Sequence, residues 1–348
     1  MENYFKFDNL IIWSFQKNLD KFVKEQLLKD YLSRLVSCYK YQKAGVIRNP
    51  SIISSSGLNF SNPTSSTIGR IEILKNILLF ASISENNSWT FVTSDNFEVF
   101  YQRFNIGSDQ LSTKGGAIHS VLTGGYAIDE VAFIKPEYIH IPIKWGVRGS
   151  IVKALEECFL KRSNDQNKNQ IIQSLNPLFN SYRNSHEISL VSRILLLIMA
   201  FELLFGQSSR QTFRDNIQKY SIFGTRIKLK TYNYPIVNTK TGRTDSHEQL
   251  TLNQIWAEEF YKLRHRIIHG DTVEFQDFLF ADLLKIIKKH NPHFYIAVNF
   301  FLACVLNKLR ELGFNNIPHF VINPDAKNSP IDKNISGIQN EVFKIQII

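Results

Sequence analysis

Beyond about Ser150, apolar residues recur at three- and four-residue steps, the spacing that places them along one face of a helix. The segments Ile151–Lys161 and Gln170–Ser181 read as amphipathic helices. Ile188–Phe205 is longer and apolar, and it ends at Gly206. Ser208-Ser209-Arg210-Gln211 then caps a helix running to about Tyr220. Phe223–Leu250 is irregular, basic and turn-rich, with room for a small hairpin. Thr251-Leu252-Asn253-Gln254 has the wording of a capping box, in which a Thr hydroxyl and a Gln side chain satisfy each other's orphan amides. Trp256, Phe260, Leu263 and Ile267 follow as a helical stripe, and Gly270 is the expected left-handed stop. Phe275–His290 and Pro292–Leu312 complete the helical pattern, before a polar stretch from Pro324 that ends in the apolar strip FKIQII.

The first half differs. Residues 10–42 carry a Leu-, Phe- and Lys-rich helical pattern, and the Ser/Asn/Pro-rich stretch Asn49–Thr67 reads as loop. From Gly69 to Trp145, runs such as IEILKNILLFASI, SWTFVT, FEVFYQRF, AIHSVL and EYIHIPIKW are rich in aromatic and β-branched residues. That composition predicts strands, in one antiparallel sheet or a sandwich. The fold class is therefore α+β: a β-rich N-terminal domain over 1–150, a helical bundle over 151–323, and a C-terminal tail over 324–348. No internal repeat, Gly-rich phosphate loop or metal-ligand string is visible.

Composition narrows the partners. The chain has 348 residues, 43% apolar, a net charge of +10 and a pI near 9.3. Residues 151–348 hold 25 Lys/Arg against 18 Asp/Glu, leaving +7 in the helical part. Such an excess favours a polyanion through counterion release. Cys38, Cys158 and Cys304 lack paired spacing, so neither a disulfide framework nor a zinc site is indicated. The acidic, aromatic start MENYFKFDN is unlike a signal peptide. Ile188–Phe205 is interrupted by Arg193 and Glu202, and Phe294–Leu306 is too short for a bilayer. The expectation is a cytoplasmic protein with no membrane partner.

The candidate chemistry lies at the end of the capped helix, in Glu259-Phe260-Tyr261-Lys262-Leu263-Arg264-His265-Arg266-Ile267-Ile268-His269-Gly270-Asp271. A permanent guanidinium beside an imidazole that titrates near neutrality is a minimal kit for metal-free phosphodiester chemistry. Arg264–His269 is the only Arg-x4-His pair in the chain. RNA cleavage without a metal needs a proton acceptor for the 2′-hydroxyl, an acid for the leaving 5′-oxygen and positive charge on the phosphate. His269 suits the proton transfers, and Arg264 suits a bidentate grip on the phosphate. Residues five apart on a helix diverge by about 140°, so one motif does not line up along one face. Arg266 beside the motif, and Arg210 with Arg214 one turn apart, are candidate RNA-binding cations. Glu202 is either a polar anchor of the bundle or an orienting partner for His or Arg across it.

Other readings stay open. Arg264 and His269 also fit a solvated helix end, with Arg264 paired to Glu259 or Asp271. His265 and His269 have the i, i+4 spacing of a metal pair. A zinc-peptidase pattern would need Glu directly after His265, however, where Arg266 stands. No metal or cofactor is expected.

The motif resembles the R-x4-6-H signature of the HEPN superfamily, and residues 185–312 resemble an Apea-like HEPN domain. Two stretches carry that likeness: Ala200-Phe201-Glu202-Leu203-Leu204-Phe205-Gly206 closing the long apolar helix, and Leu263-Arg264-His265-Arg266-Ile267-Ile268-His269-Gly270 closing the motif helix. The family often places Asn, Asp or His after the motif arginine, as His265 does here. The resemblance implies an all-α HEPN bundle and a metal-independent endoribonuclease with Arg264, His265 and His269 in the catalytic set. It also implies RNA as partner and a homodimer in which two motifs converge. By analogy the role is a phage-defence or abortive-infection effector. The alternative is a non-catalytic HEPN module that binds nucleotide, RNA or protein.

Overall fold

A computed structural model of the chain describes residues 4–41, 45–46, 51–55, 65–86, 94–97, 99, 112–113, 126–127, 131–133, 147–183, 188–206, 209–237, 243–280, 291–322 and 345–347. Helix and strand are mixed, with small antiparallel sheets near the N-terminus and a helical C-terminal part. Two compact units divide the chain: 1–75 with 90–144, and 76–89 with 145–348.

In the first unit, β1 (Tyr4–Phe7) and β2 (Leu10–Ser14) form a hairpin, and β2 continues antiparallel to β5 (Ser51–Ser55). The turn residue Asp8 has φ 50° and pairs with Arg70 at 2.7 Å. Helices α1 (Phe15–Phe22) and α2 (Gln26–Cys38) follow, and Ile11, Trp13 and Val23 form a small core with Leu19, Phe22, Leu28 and Leu32 around it. A second sheet holds β3 (Tyr39–Tyr41), β4 (Gly45–Val46) and β8 (Val131–Phe133), with β3 and β8 parallel. Strands β6 (Ser112–Thr113) and β7 (Tyr126–Ala127) make a short antiparallel pair.

Three expectations for this half are corrected. Leu10–Ser14 is strand rather than helix, and Ser51–Ser55 is strand within the expected loop. The run IEILKNILLFASI is no strand: it lies inside α3 (Ser65–Asn86), 22 residues long. Ile71, Leu74, Ile77, Leu79, Phe80, Ala81 and Ile83 are all buried, so the helix is apolar nearly all round and its period is hidden. Buried Ser84 meets its polar need locally, donating to the Phe80 carbonyl at 2.7 Å. SWTFVT, AIHSVL, EYIHIPIKW and most of FEVFYQRF lie outside the described residues; Ser94–Phe97 is a 3-10 turn.

The second unit follows its helical pattern closely. Helices α4 (Gly149–Lys161), α5 (Gln166–Ser181), α6 (Leu190–Phe205), α7 (Arg210–Ser221), α8 (Leu252–Ile268) and α9 (His293–Glu311) form it, with a hairpin of β9 (Thr231–Val237) and β10 (Thr244–Thr251) between α7 and α8. Local signals set the ends. Ser189 and Ser209 accept from backbone N–H groups as N-caps, and Gly206 closes α6 at φ 67°.

The core is aromatic. Phe201 of α6 meets Phe213 of α7 and Phe301 of α9 edge-on at 5.4 and 5.2 Å, and Phe80 reaches Phe301 at 6.4 Å. Trp256 of α8 stacks on Phe300 at 4.4 Å and on Phe260 at 4.9 Å. Such ring pairs contribute about 1 kcal/mol each beyond area burial. Polar side chains fix the register of the bundle. Buried Asn307 donates to the carbonyls of Tyr220 and Phe320, and buried Asn253 donates to Ser221 Oγ and the Ile322 carbonyl. Lys308 donates to the Leu204 carbonyl at 2.7 Å, satisfying an orphan group at the end of α6.

Around α9 the sequence reading is again corrected. Phe275–Phe278 is a 3-10 turn and β11 (Leu279–Phe280) pairs with β12 (Asn291–Pro292), so the expected helix over Phe275–His290 is absent at its start; 281–290 lie outside the described residues. Phe278 and Phe280 are buried at a two-residue spacing, which a helix would not give. Strand β13 (Phe320–Ile322) pairs antiparallel with β14 (Ile345–Ile347), drawn from the apolar C-terminal strip. Among the described residues no single helix is long and apolar enough to cross a membrane.

Candidate active site

Helix α8 positions the motif. At its N-terminus Thr251 and Gln254 form the reciprocal capping box, with Gln254 accepting from the Thr251 N–H at 3.0 Å and Thr251 Oγ1 from the Gln254 N–H at 3.3 Å. Trp256, Phe260 and Leu263 are buried and anchor one face. At the C-terminus His269 is the cap residue, Gly270 takes φ 77°, its N–H reaches the Ile267 carbonyl, and the Asp271 N–H reaches the Arg266 carbonyl. That pair of bonds is a Schellman closure. It releases the chain just past His269, which is solvent-exposed.

The motif side chains have defined neighbours. Arg264 pairs with Glu202 of α6 at 2.9 Å, each about a quarter exposed (23% each), and its guanidinium lies 5.1 Å from the Tyr261 ring centroid. The Glu202 pKa is raised: burial disfavours the carboxylate, and Arg264 only partly offsets this. Tyr261 is pushed up by burial too, with Arg264 opposing and Glu202 adding to the shift. His265 and His269 lie one turn apart with ring centroids 4.1 Å from each other, inclined at 52°.

The neighbouring cations are engaged. Arg266 binds Asp277 and donates to the Thr272 carbonyl at 2.7 Å, tying the segment after α8 back to its last turn. Partial burial pushes Asp277 up, but the Arg266 bond and the Glu274 N–H outweigh it, and its pKa falls below the ordinary value. Arg210 forms an ion pair with buried Glu258, and Arg214 pairs with Glu248 of β10 at 3.0 Å.

Of the residues singled out from sequence, then, Glu202 and Arg264 are brought together, as are His265 and His269. The carboxylate that Arg264 meets is Glu202 of another helix, whereas Glu259 on its own helix binds Lys262 and Tyr234. Arg210 and Arg214 are held by the α8 and hairpin carboxylates. Tyr261 and Asp277 are additions from the structure. Tyr261 stands three residues before Arg264, a spacing that puts them on one face and is a signal in the sequence, whereas Asp277 has no local signal. Among the described residues no group of three or more His, Cys, Asp or Glu could hold a metal ion.

Chemically, the end of α8 offers two neighbouring imidazoles, exposed at His269, and, five residues before His269, a cation held by a carboxylate and an aromatic ring. Compared with protein-family models, with curated proteins and with solved structures, the chain matches none.

Proposed function

We propose that this chain is a metal-independent endoribonuclease of the HEPN type, cutting RNA by attack of its own 2′-hydroxyl. The observation that carries the reading is the end of α8. There the exposed His269 and its neighbour His265 lie 4.1 Å apart by ring centroid, in the same helix as an arginine oriented by Glu202. His269 takes the 2′-hydroxyl proton as the 2′-oxygen bonds to phosphorus, and the histidine of the second motif gives a proton to the 5′-oxygen as its bond to phosphorus breaks. Arg264 binds the phosphate once Glu202 yields it, and His265 orients its neighbour. In this reading Arg266, 40% exposed, lies on the RNA-facing surface, and Arg210 and Arg214, set deeper at 28% and 12% exposure, add positive potential behind it.

The proposed active form is a homodimer, in which a second copy supplies the second motif. Exposed large apolar side chains on the elements that carry the motif and its partners support it: Ile268 of α8 at 54%, Met199 of α6 at 50%, and Phe275 of the turn that Asp277 ties to Arg266 at 69%. A role in defence against phage, in the cytoplasm, follows only by analogy with the family.

The second reading, a non-catalytic module binding nucleotide, RNA or protein, is favoured by one observation: Arg264, Arg266, Arg210 and Arg214 are each already paired to a carboxylate. Product chemistry decides between them. The nuclease should convert single-stranded RNA in chelator to fragments ending in 2′,3′-cyclic phosphate, and a 2′-deoxy substitution should block cleavage at that step. Intact RNA under these conditions would favour the binding module.

A further inference from the structure

Between Asp215 and Asp245 the chain has no carboxylate side chain, yet it carries Lys219, Arg226, Lys228, Lys230, Lys240 and Arg243. Three of these form one surface. Residues 225–230 run from the end of α7 towards β9 outside any helix or ladder, and their burial alternates: Arg226, Lys228 and Lys230 are exposed, Ile227 and Leu229 half-buried. Period-two burial puts the three cations on one side, with alternate residues about 6.6–6.8 Å apart if the segment is fully extended. Among the described residues Arg226 and Lys228 meet no carboxylate, in contrast to the paired arginines near the motif. Lys230 lies 5.1 Å from the Tyr232 ring centroid.

We propose that Arg226, Lys228 and Lys230 form a rail that holds single-stranded RNA by its phosphates, away from the site of cleavage. The repeat of the cations is of the order of one nucleotide step on an extended strand. A row of exposed cations in a stretch of sequence without carboxylates attracts a polyanion and tracks its backbone. Its place in the fold separates it from the chemistry. Thr231 pairs with Thr251, the N-cap of α8, so the rail enters at the start of that helix. His269 stands at the other end, and the 17 residues of α8 span about 25 Å. The rail is thus a holding site for RNA beyond the cleaved step; it deepens the ribonuclease reading, on which its choice of RNA rests.

The test is binding of the full chain to a labelled single-stranded 2′-O-methyl RNA, which lacks the attacking hydroxyl, across a salt series. The variant Arg226→Gln/Lys228→Gln/Lys230→Gln is compared with a charge-matched control, Lys24→Gln/Lys153→Gln/Lys161→Gln. Losing three phosphate contacts should lower the slope of log affinity against log salt by about 2 units. Affinities would then converge near 1 M salt and differ by about a hundredfold at 0.1 M. The control should keep the parent slope, and melting curves should show all three proteins folded. Equal slopes for rail variant and parent would overturn the rail, as would parent protein that binds anionic vesicles or an acidic peptide but no RNA. If the parent binds with the rail-dependent slope yet cuts no unmodified RNA, the rail stands and the nuclease reading falls.

Discussion

Glu202 and Arg264, 62 positions apart in sequence, meet at 2.9 Å across α6 and α8. The carboxylate holds the guanidinium that the proposed mechanism calls on, and the ring of Tyr261 lies 5.1 Å from it on the same helix. Arg264→Lys keeps the charge but loses the planar fork and its ring contact. Cleavage should fall by about a hundredfold, on the scale of losing one transition-state donor, with the melting temperature nearly unchanged. Glu202→Gln retains the shape and should cost about three- to tenfold, mostly in kcat, since the arginine is still present but less well placed. Steady-state kinetics on both variants checks this. Full activity in Arg264→Lys would remove the arginine from the mechanism.

The closure of α8 is a backbone device with a measurable cost. A Cβ placed on Gly270 would have nothing within 4 Å, so at φ 77° a side chain there meets strain but no clash. Gly270→Ala should destabilise by about 1–2 kcal/mol, while Gly270→Asn, which tolerates the left-handed region, should cost less. Denaturant titration gives both values. An alanine variant as stable as the parent would mean that the glycine does not fix the cap.

His293 makes stability depend on pH. At the start of α9 it is buried against Phe260 at 5.7 Å and Phe280 at 5.8 Å, with no hydrogen-bond partner for Nδ1 among the described residues. Burial pulls its pKa from 6.5 down to about 3. Above pH 6.5 both folded and unfolded states hold it neutral. As pH falls from 6.5 towards 3 the unfolded state takes up a proton that the folded state refuses, so stability declines through that window. His293→Phe should remove this part of the acid sensitivity. Unfolding curves of parent and variant at about pH 7.5 and about pH 4.5, on either side of the unfolded-state titration, test it; equal pH dependence would contradict the assignment.

How much of this is legible in the sequence follows from the range of each interaction. The capping box at Thr251 and Gln254, the Ser209 cap and the glycine stops at Gly206 and Gly270 are local, and they set the helix ends where the sequence pattern puts them; Ser189 caps α6 inside the segment read as helix from Ile188. Ile71–Ile83 looks like strand because a helix buried on most sides has no polar face to betray its period. Phe275–Phe280 looks like helix by its apolar spacing, but Asp277 binds Arg266 and the Glu274 N–H and folds a tight turn there. Within the site, Arg264 and His269 are legible as a motif. That Arg264 chooses Glu202 over nearby Glu259 is not, because tertiary packing decides which carboxylate it reaches. The alternating basic residues 226–230 are visible as composition, but only their one-sided exposure makes them a surface.

The most direct measurement is cleavage of a labelled single-stranded RNA by the full chain in EDTA near neutral pH, with parent and His269→Ala compared under single turnover. General acid–base catalysis contributes about 10²–10⁴-fold, and His269 is exposed at a helix end, so its loss should spare the fold. The parent should cut the RNA in chelator, and His269→Ala should be slower by at least about a hundredfold with an unchanged melting temperature. Equal rates for the two proteins, or activity that disappears with EDTA, would contradict a metal-independent ribonuclease built on this histidine.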